Sequence, residues 1–501
     1  MTAYDEIIYP SQPHADTHPD RLATIATLFG MTPAPIERCR VLEIACGDAG
    51  NLIPMAYGLP DSEFVGFDLA ARPIEMGNRT AARLGLANLS LEQLDLADFP
   101  ADAGRFDYIV AHGLYSWVPV PVRDRLLGLI ASHLAPHGVA FVSYNVYPGC
   151  YMRRMVWEIL KFHTDHLGDP QSRITEALAL TRLLASGRDL QSAYGTFLNA
   201  DLERLLQRDT SYFFHDDLAD INDPVYFHQF VEHAERHGLQ FLGEGELKTM
   251  GYGGLTSEVR RVLEALDPLT REQYLDFVRF RRFRQTLLCH AAVKLERQIR
   301  PDKVTQFLLA APAGMRVRVS MGDAPDAQAP SAEQPVADAS TLADEAFLQA
   351  ILDVLSEAAP RMLSIDELTA RVSARAGGET FKARGPDAFR QYAIGAARAG
   401  ALELHLRTPA FVTEPGELPV GSPVARLQLE SGDIVTSLCH DSVKLDDKVA
   451  ATLLAFLDGT RTRAELINAL GGLLAGGDQS SRLAALDVHL QNLGKLALLV
   501  A

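Results

Sequence analysis

Cysteines are few in this sequence of 501 residues, and their positions argue against the usual structural roles of the residue. There are five, an odd number, and no two of them show C-x-x-C spacing: Cys39, Cys46, Cys150, Cys289 and Cys439. This distribution indicates neither a disulfide framework nor a cysteine-based zinc site. We therefore expect the protein to reside in the reduced cytoplasm.

Long apolar runs and an excess of basic residues are also missing. Nowhere do about eighteen apolar residues follow one another, the length that a membrane helix needs. Residues 1–6 lack the basic start of an export signal. We expect neither a membrane span nor export. The 47 Lys and Arg residues against 64 Asp and Glu residues give a formal net charge of −17. Because nucleic-acid-binding surfaces need a basic excess, we expect no nucleic-acid partner.

The chain is long enough for two or three domains with cores of their own. A stretch rich in Ala, Pro, Asp and Gln at 321–340 is typical of a linker. We expect a core domain in residues 1–150, a helical region in 151–320 that completes the core sheet, and C-terminal modules in 341–501.

Two units of the C-terminal region resemble each other. Each contains an apolar helix followed by a capping box, Ser364 to Glu367 in one unit and Thr462 to Glu465 in the other. This pattern predicts small α+β modules similar to winged helices, a type of fold that often binds DNA. Since acidic residues outnumber basic ones here, protein docking is favoured over DNA binding.

The stretch 41–51 is typical of a strand, a cofactor loop and the start of a helix. A dinucleotide site would use a third glycine beside Gly47 and Gly50 and would bind a pyrophosphate, whereas the charge of Glu43 repels phosphate and attracts a cation. The next strand ends in Asp68, about twenty residues past the turn, where a ribose hydroxyl is usually bound. A ligand with a ribose and a cationic amino acid is S-adenosylmethionine, which we predict as the cofactor.

Strand and helix patterns alternate through the first part of the chain and predict an α/β fold with a doubly wound, Rossmann-like sheet. Seven strands are predicted, the last two after a helical insertion: 40–45, 63–68, 89–93, 106–111, 138–144, 240–243 and 286–290. Ligands of such sheets bind at the carboxyl ends of the strands. Asp48, Asp68, Asp95 and His112 follow strand ends and are expected to face one crevice, although Asp95 is equally compatible with a helix cap.

Two aromatic-rich stretches follow predicted strands and are the candidates for the substrate end of the site. The first contains His112, Tyr115 and Trp117, and the second contains Tyr144, Asn145 and Tyr147. Ring faces attract a sulfonium or an ammonium group by cation–π interaction. We predict these residues to be catalytic, with His112 as proton acceptor. The alternatives are an ordinary loop histidine and aromatic rings that pack on the core.

Three further segments allow more than one interpretation. Tyr4 or Tyr9 could fold over the cofactor or pack on the core. His215, Asp216 and Asp217 are potential metal ligands, but neighbouring side chains diverge and no second cluster completes the set, so we predict no metal site. The arginines of a predicted helix at 274–284 are expected on a solvated face, or else to bind an acidic protein segment.

Taken together, these motifs resemble the class I methyltransferases that carry a methyltransferase regulatory domain. In layout the chain is similar to the rickettsial-type protein-lysine methyltransferases that modify outer-membrane proteins. The strings that carry the resemblance are specific as a set: 4–6, 17–22, 41–51, 106–113, 143–149, 284–288 and 457–461.

The resemblance implies S-adenosylmethionine as cofactor and assigns residues to its parts. Glu43 and the loop through Ala45 and Gly47 to Asn51 would hold the methionine part. Asp68 with Leu69 would bind the ribose, and Asp95 with Leu96 the adenine, with His112 close by. Ala45 and Ala49 replace glycines of the family, and their methyl groups are tolerated if the local φ angles are not positive.

We expect an enzyme that methylates lysine side chains of an outer-membrane or surface protein before its export. The alternatives are methylation of a small molecule or peptide, and a cofactor-binding scaffold without catalysis. The large accessory region favours a macromolecular substrate. The oligomeric state is not predicted.

Overall fold

The computed structural model describes residues 2–186, 192–312, 342–375 and 385–501, so the predicted linker at 321–340 lies outside the described residues. Its core is a seven-stranded sheet in the order β3-β2-β1-β4-β5-β7-β6. The strands are β1 Arg40–Ile44, β2 Glu63–Asp68, β3 Leu89–Gln93, β4 Phe106–Ala111, β5 Leu134–Asn145, β6 Leu239–Glu244 and β7 Phe283–His290. The predicted seven-stranded α/β sheet is confirmed.

The direction of the strands defines where a ligand can bind. Strands β1 to β5 run parallel, whereas β7 is antiparallel to both β5 and β6. The strand order reverses between the neighbours β1 and β4, and the carboxyl ends of strands at such a reversal border a crevice. Both strands are buried along nearly their whole length because helices cover the two faces of the sheet.

Helices flank the sheet, and the predicted helical insertion follows β5. The flanking helices are Pro19–Leu28, Leu52–Gly58, Ala71–Leu84, Val120–His133, Phe227–Arg236, Ser257–Glu264 and Pro268–Arg279. The insertion contains Cys150–Thr164, Pro170–Ser186 and Ala193–Leu206. Its helices pack through apolar residues at helical spacing, such as Val156 with Leu160 and Leu198 with Leu202, and form a separate core.

The C-terminal region contains two small α+β units. In the first, strands Leu308–Ala310, Leu363–Ser364 and Glu403–His405 form a sheet beside helices Leu342–Ala358, Ile365–Ser373 and Gly385–Arg398. In the second, hairpin strands Ile434–Thr436 and Ser442–Lys444 accompany helices Pro423–Gln428, Lys448–Phe456, Arg463–Leu470 and Gln479–Lys495. The Thr462 capping box is present, with the Thr462 N–H donating to Glu465 over 2.8 Å.

The first C-terminal unit is attached to the core through helix Pro19–Leu28. Asp20 accepts hydrogen bonds from His405 over 2.7 Å and from the main-chain N–H of Leu406 over 2.7 Å. These groups are buried, so the contact fixes the unit against the sheet domain. Among the helices of the described part of the chain, none has the length and apolar composition to cross a membrane.

The prediction that Arg284 lies on a solvated helix face is wrong. The helix ends at Arg279 because Phe280 adopts a left-handed conformation with a φ of 51°, and Arg284 lies in β7 instead. Its side chain is fully buried and pairs with Glu244, Glu272 and Asp276, at 2.5, 3.1 and 2.9 Å.

Candidate active site

The loop between β1 and helix Leu52–Gly58 has a strained backbone. Ala45, Gly47 and Ala49 have φ angles of 60°, 56° and 60°, so two alanines occupy the left-handed region that favours glycine. The methyl groups of Ala45 and Ala49 are tolerated only if the φ angles are not positive, and this condition is not met. Each alanine therefore adds a backbone strain of roughly 1–2 kcal/mol. Such strain persists where surrounding contacts dictate the conformation, and it is frequent at functional sites.

Asp68, at the end of β2, holds this loop. One carboxylate oxygen accepts a hydrogen bond from the Gly47 N–H over 2.9 Å, and the other accepts from the Ala70 N–H over 2.8 Å. Burial raises the pKa of Asp68. Leu69 beside it is 54 % exposed and offers an apolar surface at the edge of the crevice.

Glu43, near the end of β1, has a carboxylate that is only half satisfied. Its Oε1 atom accepts a hydrogen bond from the Asn51 amide over 2.9 Å, whereas Oε2 is buried and has no hydrogen-bond partner among the described residues. Burial raises the pKa of Glu43 to about 7, and the nearby Asp68 and Asp48 raise it too, against the effect of the Asn51 hydrogen bond. A buried carboxylate oxygen of this kind requires a donor, and a cationic ligand supplies one.

Asp95 and Leu96 follow β3. Asp95 is exposed, and its carboxylate accepts a hydrogen bond from the Ala97 N–H over 2.8 Å, so it caps the short 3₁₀ turn Leu96–Asp98. The helix-cap alternative is thus observed for Asp95. Leu96 is half-buried and packs against the core beneath the sheet edge.

His112 lies at the carboxyl end of β4, at the predicted crevice. Its ring stacks on that of His14, with 3.9 Å between the centroids, and Phe141 lies 5.8 Å away. Burial lowers the pKa of His112 to about 3, and His14 lowers it as well. The imidazole is therefore neutral at pH 7 and is a weak proton acceptor.

Three of the predicted substrate residues lie in the core. The Tyr115 hydroxyl bonds to His233 over 2.8 Å, the Tyr144 hydroxyl to Thr286 over 2.9 Å, and Asn145 donates to Asn222 over 3.1 Å. All three are buried, and the interpretation that they face a substrate is wrong. Both Tyr144 and Asn145 are strand residues paired with β7, and β5 ends at Asn145, one residue later than the predicted strand 138–144.

The other two predicted substrate residues are half-buried. Trp117 ends the 3₁₀ turn Tyr115–Trp117. The ring of Tyr147 stacks on that of Tyr151 with 4.1 Å between the centroids, and its hydroxyl bonds to Arg154 over 3.2 Å.

The N-terminal segment covers the loop, a feature that the sequence suggests only through Tyr4 and Tyr9. A Cβ atom on Gly47 would lie 2.9 Å from Ser11 Oγ, and one on Gly50 would lie 2.6 Å from Ser11 Cβ. At Gly50 a side chain would also meet the Ser11 backbone, so the close approach of the segment requires glycine there, whereas at Gly47 the positive φ of 56° favours glycine.

A ring cluster consisting of Tyr4, Tyr9, Tyr212 and His215 lies beside this segment. Tyr4 stacks on His215 with 4.2 Å between the centroids, and Tyr9 meets Tyr212 edge-on at 5.0 Å. Burial raises the pKa of Tyr4 to about 12, with further contributions from Asp216 and Asp68, so the cluster is close to the carboxylate that holds the loop.

Tyr212 and His215 are not predicted from the sequence to belong to the site. The available signal is the aromatic run 212–214, which leads into a π-helical turn at Phe213–Asp217, a geometry frequent at functional sites. Asp216 and Asp217 do not form a metal cluster with His215, because the guanidinium group of Arg208 binds them at 2.8 and 2.6 Å.

The second C-terminal unit also contacts the loop. His440 Nε2 lies 3.0 Å from Asn51 Oδ1, which also accepts from the His14 N–H, so His440 is the donor. The Asn51 amide in turn donates to Glu43 and to Thr17, both over 2.9 Å. A chain of hydrogen bonds thus connects the C-terminal unit to the carboxylate of Glu43.

We expect His440→Ala to weaken the binding of S-adenosylhomocysteine about fivefold, since a hydrogen bond of roughly 1 kcal/mol that orients Asn51 is lost. Calorimetric titration measures the effect. His440→Gln retains an N–H donor and is expected to recover much of the affinity. Equal affinities of His440→Ala and the wild type would mean that the contact does not order the loop.

Three family models match the chain. Residues 41–138 match the methyltransferase domain, residues 209–290 the predicted methyltransferase regulatory domain, and residues 417–488 the C-terminal winged helix domain of PKMT. The first model covers β1 to β4 with the strained loop, and the second covers His215, β6 and β7.

The chain is also similar to two relatives over part of its length and to one solved structure over nearly all of it. An uncharacterized protein of Rickettsia prowazekii is 36 % identical over 306 residues, which are 61 % of this chain but only 55 % of that protein. A second uncharacterized protein of the same organism is 34 % identical over 241 residues, 48 % of this chain and 96 % of that protein. The structure of PKMT2 from Rickettsia typhi in complex with AdoHcy matches with a TM-score of 0.82 and 28 % identity, and covers 98 % of this chain and 100 % of that one.

Proposed function

Because this chain belongs to the methyltransferases that combine a methyltransferase domain with a regulatory domain and a PKMT winged-helix domain, we propose that it methylates lysine side chains of a protein. The observation that carries the proposal is the buried, unpartnered Oε2 of Glu43 beside the Asp68 loop, which suits a cationic amino acid attached to a ribose. The full-length similarity to a PKMT2 structure that contains AdoHcy supports the same cofactor.

The residues of the crevice fit S-adenosylmethionine, which supplies a methyl group on a sulfonium when it is bound. Glu43 would bind the α-ammonium group, with Ala45, Gly47 and Asn51 shaping the loop around the methionine part. Asp68 would bind the ribose hydroxyls. In addition, the adenine and the sulfonium side of the site would be bordered by Leu69, Asp95, Leu96 and His112.

The ring cluster is proposed to receive the lysine. Ring faces attract the ammonium form, whereas removal from water favours the neutral amine that can attack a methyl group. His215 Nε2 donates to the carbonyl of Ile7, which leaves Nδ1 as an acceptor for a proton. Burial lowers the pKa of His215, so this nitrogen is unprotonated at pH 7. Trp117 and Tyr147, which are half-buried, are proposed to contact the protein that carries the lysine.

The proposed substrate is a surface or outer-membrane protein that is methylated in the cytoplasm before export. This follows the resemblance of the chain to the rickettsial-type enzymes. The matches to a regulatory domain and a winged-helix domain support a macromolecular rather than a small substrate.

The test is methyl transfer from isotope-labelled S-adenosylmethionine to a bacterial cell extract, followed by mass spectrometry of labelled peptides. We expect label on lysine side chains, and no label with Asp68→Ala. Label confined to small molecules would replace this function by small-molecule methylation. Tight cofactor binding without any transfer would favour a scaffold instead.

Cofactor affinity is expected to depend on pH through Glu43. Its folded pKa of about 7 lies above the ordinary value, so the carboxyl group becomes neutral as the pH falls through 7 and loses its attraction for a cation. At pH 6 roughly a tenth of the groups are ionised, and affinity for S-adenosylmethionine should be about tenfold lower than above pH 7.

Calorimetry at pH 6.0 and 7.5, about one unit below and half a unit above this pKa, measures the effect. Glu43→Gln should bind weakly at both values, without the pH dependence. Glu63→Gln is the matched control, because it alters an exposed carboxylate at the start of β2, at the other end of that strand from Asp68. It should retain the pH dependence of the wild type. The same pH dependence in Glu43→Gln would assign it to another group.

A further inference from the structure

Two helices that pack into the same hydrophobic core beside the sheet bring three potential metal ligands together. Asp124 belongs to helix Val120–His133, while His233 and His237 lie four residues apart at the end of helix Phe227–Arg236. This spacing puts both imidazoles on one face of the helix. The two Nε2 atoms lie 3.1 and 2.9 Å from the same oxygen, Asp124 Oδ1, and the three ligand atoms are all within 4.8 Å of one another. We propose that this cluster binds Zn²⁺ or a similar divalent ion.

The donor set and its spacing suit zinc. Two imidazole nitrogens and a carboxylate oxygen are common zinc ligands, and around a tetrahedral ion at bond lengths of about 2.0–2.1 Å such ligand atoms lie about 3.3 Å apart. The observed nitrogen–oxygen distances therefore need to grow by only a few tenths of an ångström for an ion to replace the two hydrogen bonds. The end of the helix carries partial negative charge, which favours a cation.

The cluster is also accessible to an ion. Asp124 is 63 % exposed and His237 20 %, so an ion can reach the cluster from solvent and keep a water molecule as fourth ligand.

A buried partner orients the first histidine. His233 Nδ1 lies 2.8 Å from the Tyr115 hydroxyl, so with a metal on Nε2 the Nδ1–H group would donate to Tyr115. Metal-binding histidines usually have such a partner on the second nitrogen. Tyr115 starts the 3₁₀ turn that follows β4, so the ion would tie both helices to the segment directly after His112.

Zinc titration of the full-length protein without an affinity tag tests the proposal, with Co²⁺ absorption as a second probe of tetrahedral coordination. We expect one equivalent of Zn²⁺ to bind at micromolar or lower concentration and to raise the melting temperature. Asp124→Asn keeps the size and a hydrogen-bond acceptor but removes the charge, and we expect it to weaken binding by at least about tenfold. His237→Ala should do the same.

His163→Ala is the matched control, because His163 also faces a carboxylate, Glu176 at 3.6 Å, but the described residues place no third metal ligand beside this pair. It should bind Zn²⁺ like the wild type. Tyr115→Phe should bind more weakly than wild type. If no stoichiometric binding occurs, or if Asp124→Asn binds as tightly as the wild type, the proposal is overturned. The affinity of each variant for S-adenosylhomocysteine shows whether its core has folded.

Discussion

Replacing Arg284 by methionine is expected to lower the free energy of unfolding by about 3–5 kcal/mol. The guanidinium group is fully buried against Glu244, Glu272 and Asp276, and it also lies 4.0 Å from the ring centre of Phe227. Methionine fills a similar volume but leaves the buried carboxylates of Glu244 and Glu272 without their cation, and leaves Asp276 with Arg281 alone, at 3.3 Å. Urea-induced unfolding followed by circular dichroism measures the difference.

The pH dependence of this variant identifies the cause. Burial already raises the pKa values of Glu272 and Asp276, against the effect of Arg284, and removing Arg284 raises them further. The folded variant then binds more protons than the unfolded chain, so its stability falls as the pH rises and recovers as the pH falls. We expect the stability deficit of the variant relative to the wild type to shrink as the pH is lowered from about 7 to about 5. This range lies above the ordinary carboxyl pKa values of about 4.

Arg282→Met is the control for the Arg284 variant. Its side chain is 45 % exposed and lies 3.7 Å from Asp201, so its loss should cost less than about 1 kcal/mol. Equal destabilisation by the two substitutions would contradict the assigned role of the buried cluster.

Asp68→Ala is expected to reduce affinity for S-adenosylhomocysteine by roughly 100-fold, which corresponds to one or two hydrogen bonds to a charged group. The substitution removes the proposed ribose acceptor and frees the Gly47 and Ala70 N–H groups. The strained loop then loses a contact that dictates its conformation. Calorimetry with S-adenosylhomocysteine measures the loss.

Two further variants separate these causes. Asp68→Asn retains one acceptor oxygen and should bind with intermediate affinity. Asp61→Ala alters an exposed carboxylate just before β2, at the opposite end of the strand, and should bind normally. If Asp68→Ala bound like the wild type, the cofactor would have to lie elsewhere.

The parts of the site that the sequence predicts are those encoded locally. Glu43, Gly47 and Asp68 belong to one strand–loop–helix–strand stretch, where apolar runs end in acidic residues and small residues form the turn. The seven strands are predicted for the same reason, since short runs of β-branched and aromatic residues alternate with helical patterns.

Residues that depend on the end of an element are predicted poorly. A strand that ends one residue later than predicted turns a loop residue into a buried strand residue, as in the case of Asn145. Arg284 shows the reverse problem at a helix end, because the left-handed conformation of Phe280 is not visible in a pattern of aromatic and basic residues.

Long-range contacts are the part that no local pattern reveals. The stacking of Tyr4 on His215 joins residues far apart in the chain, and the His233–Asp124 pair joins two helices. Of these contacts, only the second is indicated in the sequence, by the His-x-x-x-His spacing. That spacing alone does not predict a metal site, because the third ligand comes from the partner helix.

The contact between His440 and Asn51 has a consequence for biosynthesis. The two residues are 389 positions apart, so at 5–20 residues per second the ribosome adds His440 about 20–80 s after Asn51. During that interval the nascent sheet domain can fold, but its cofactor loop lacks the donor that orients Asn51. A chain whose translation stops before His440 would thus display a complete Rossmann-like sheet whose cofactor loop lacks this contact, so an ordered cofactor loop reports that translation has passed His440.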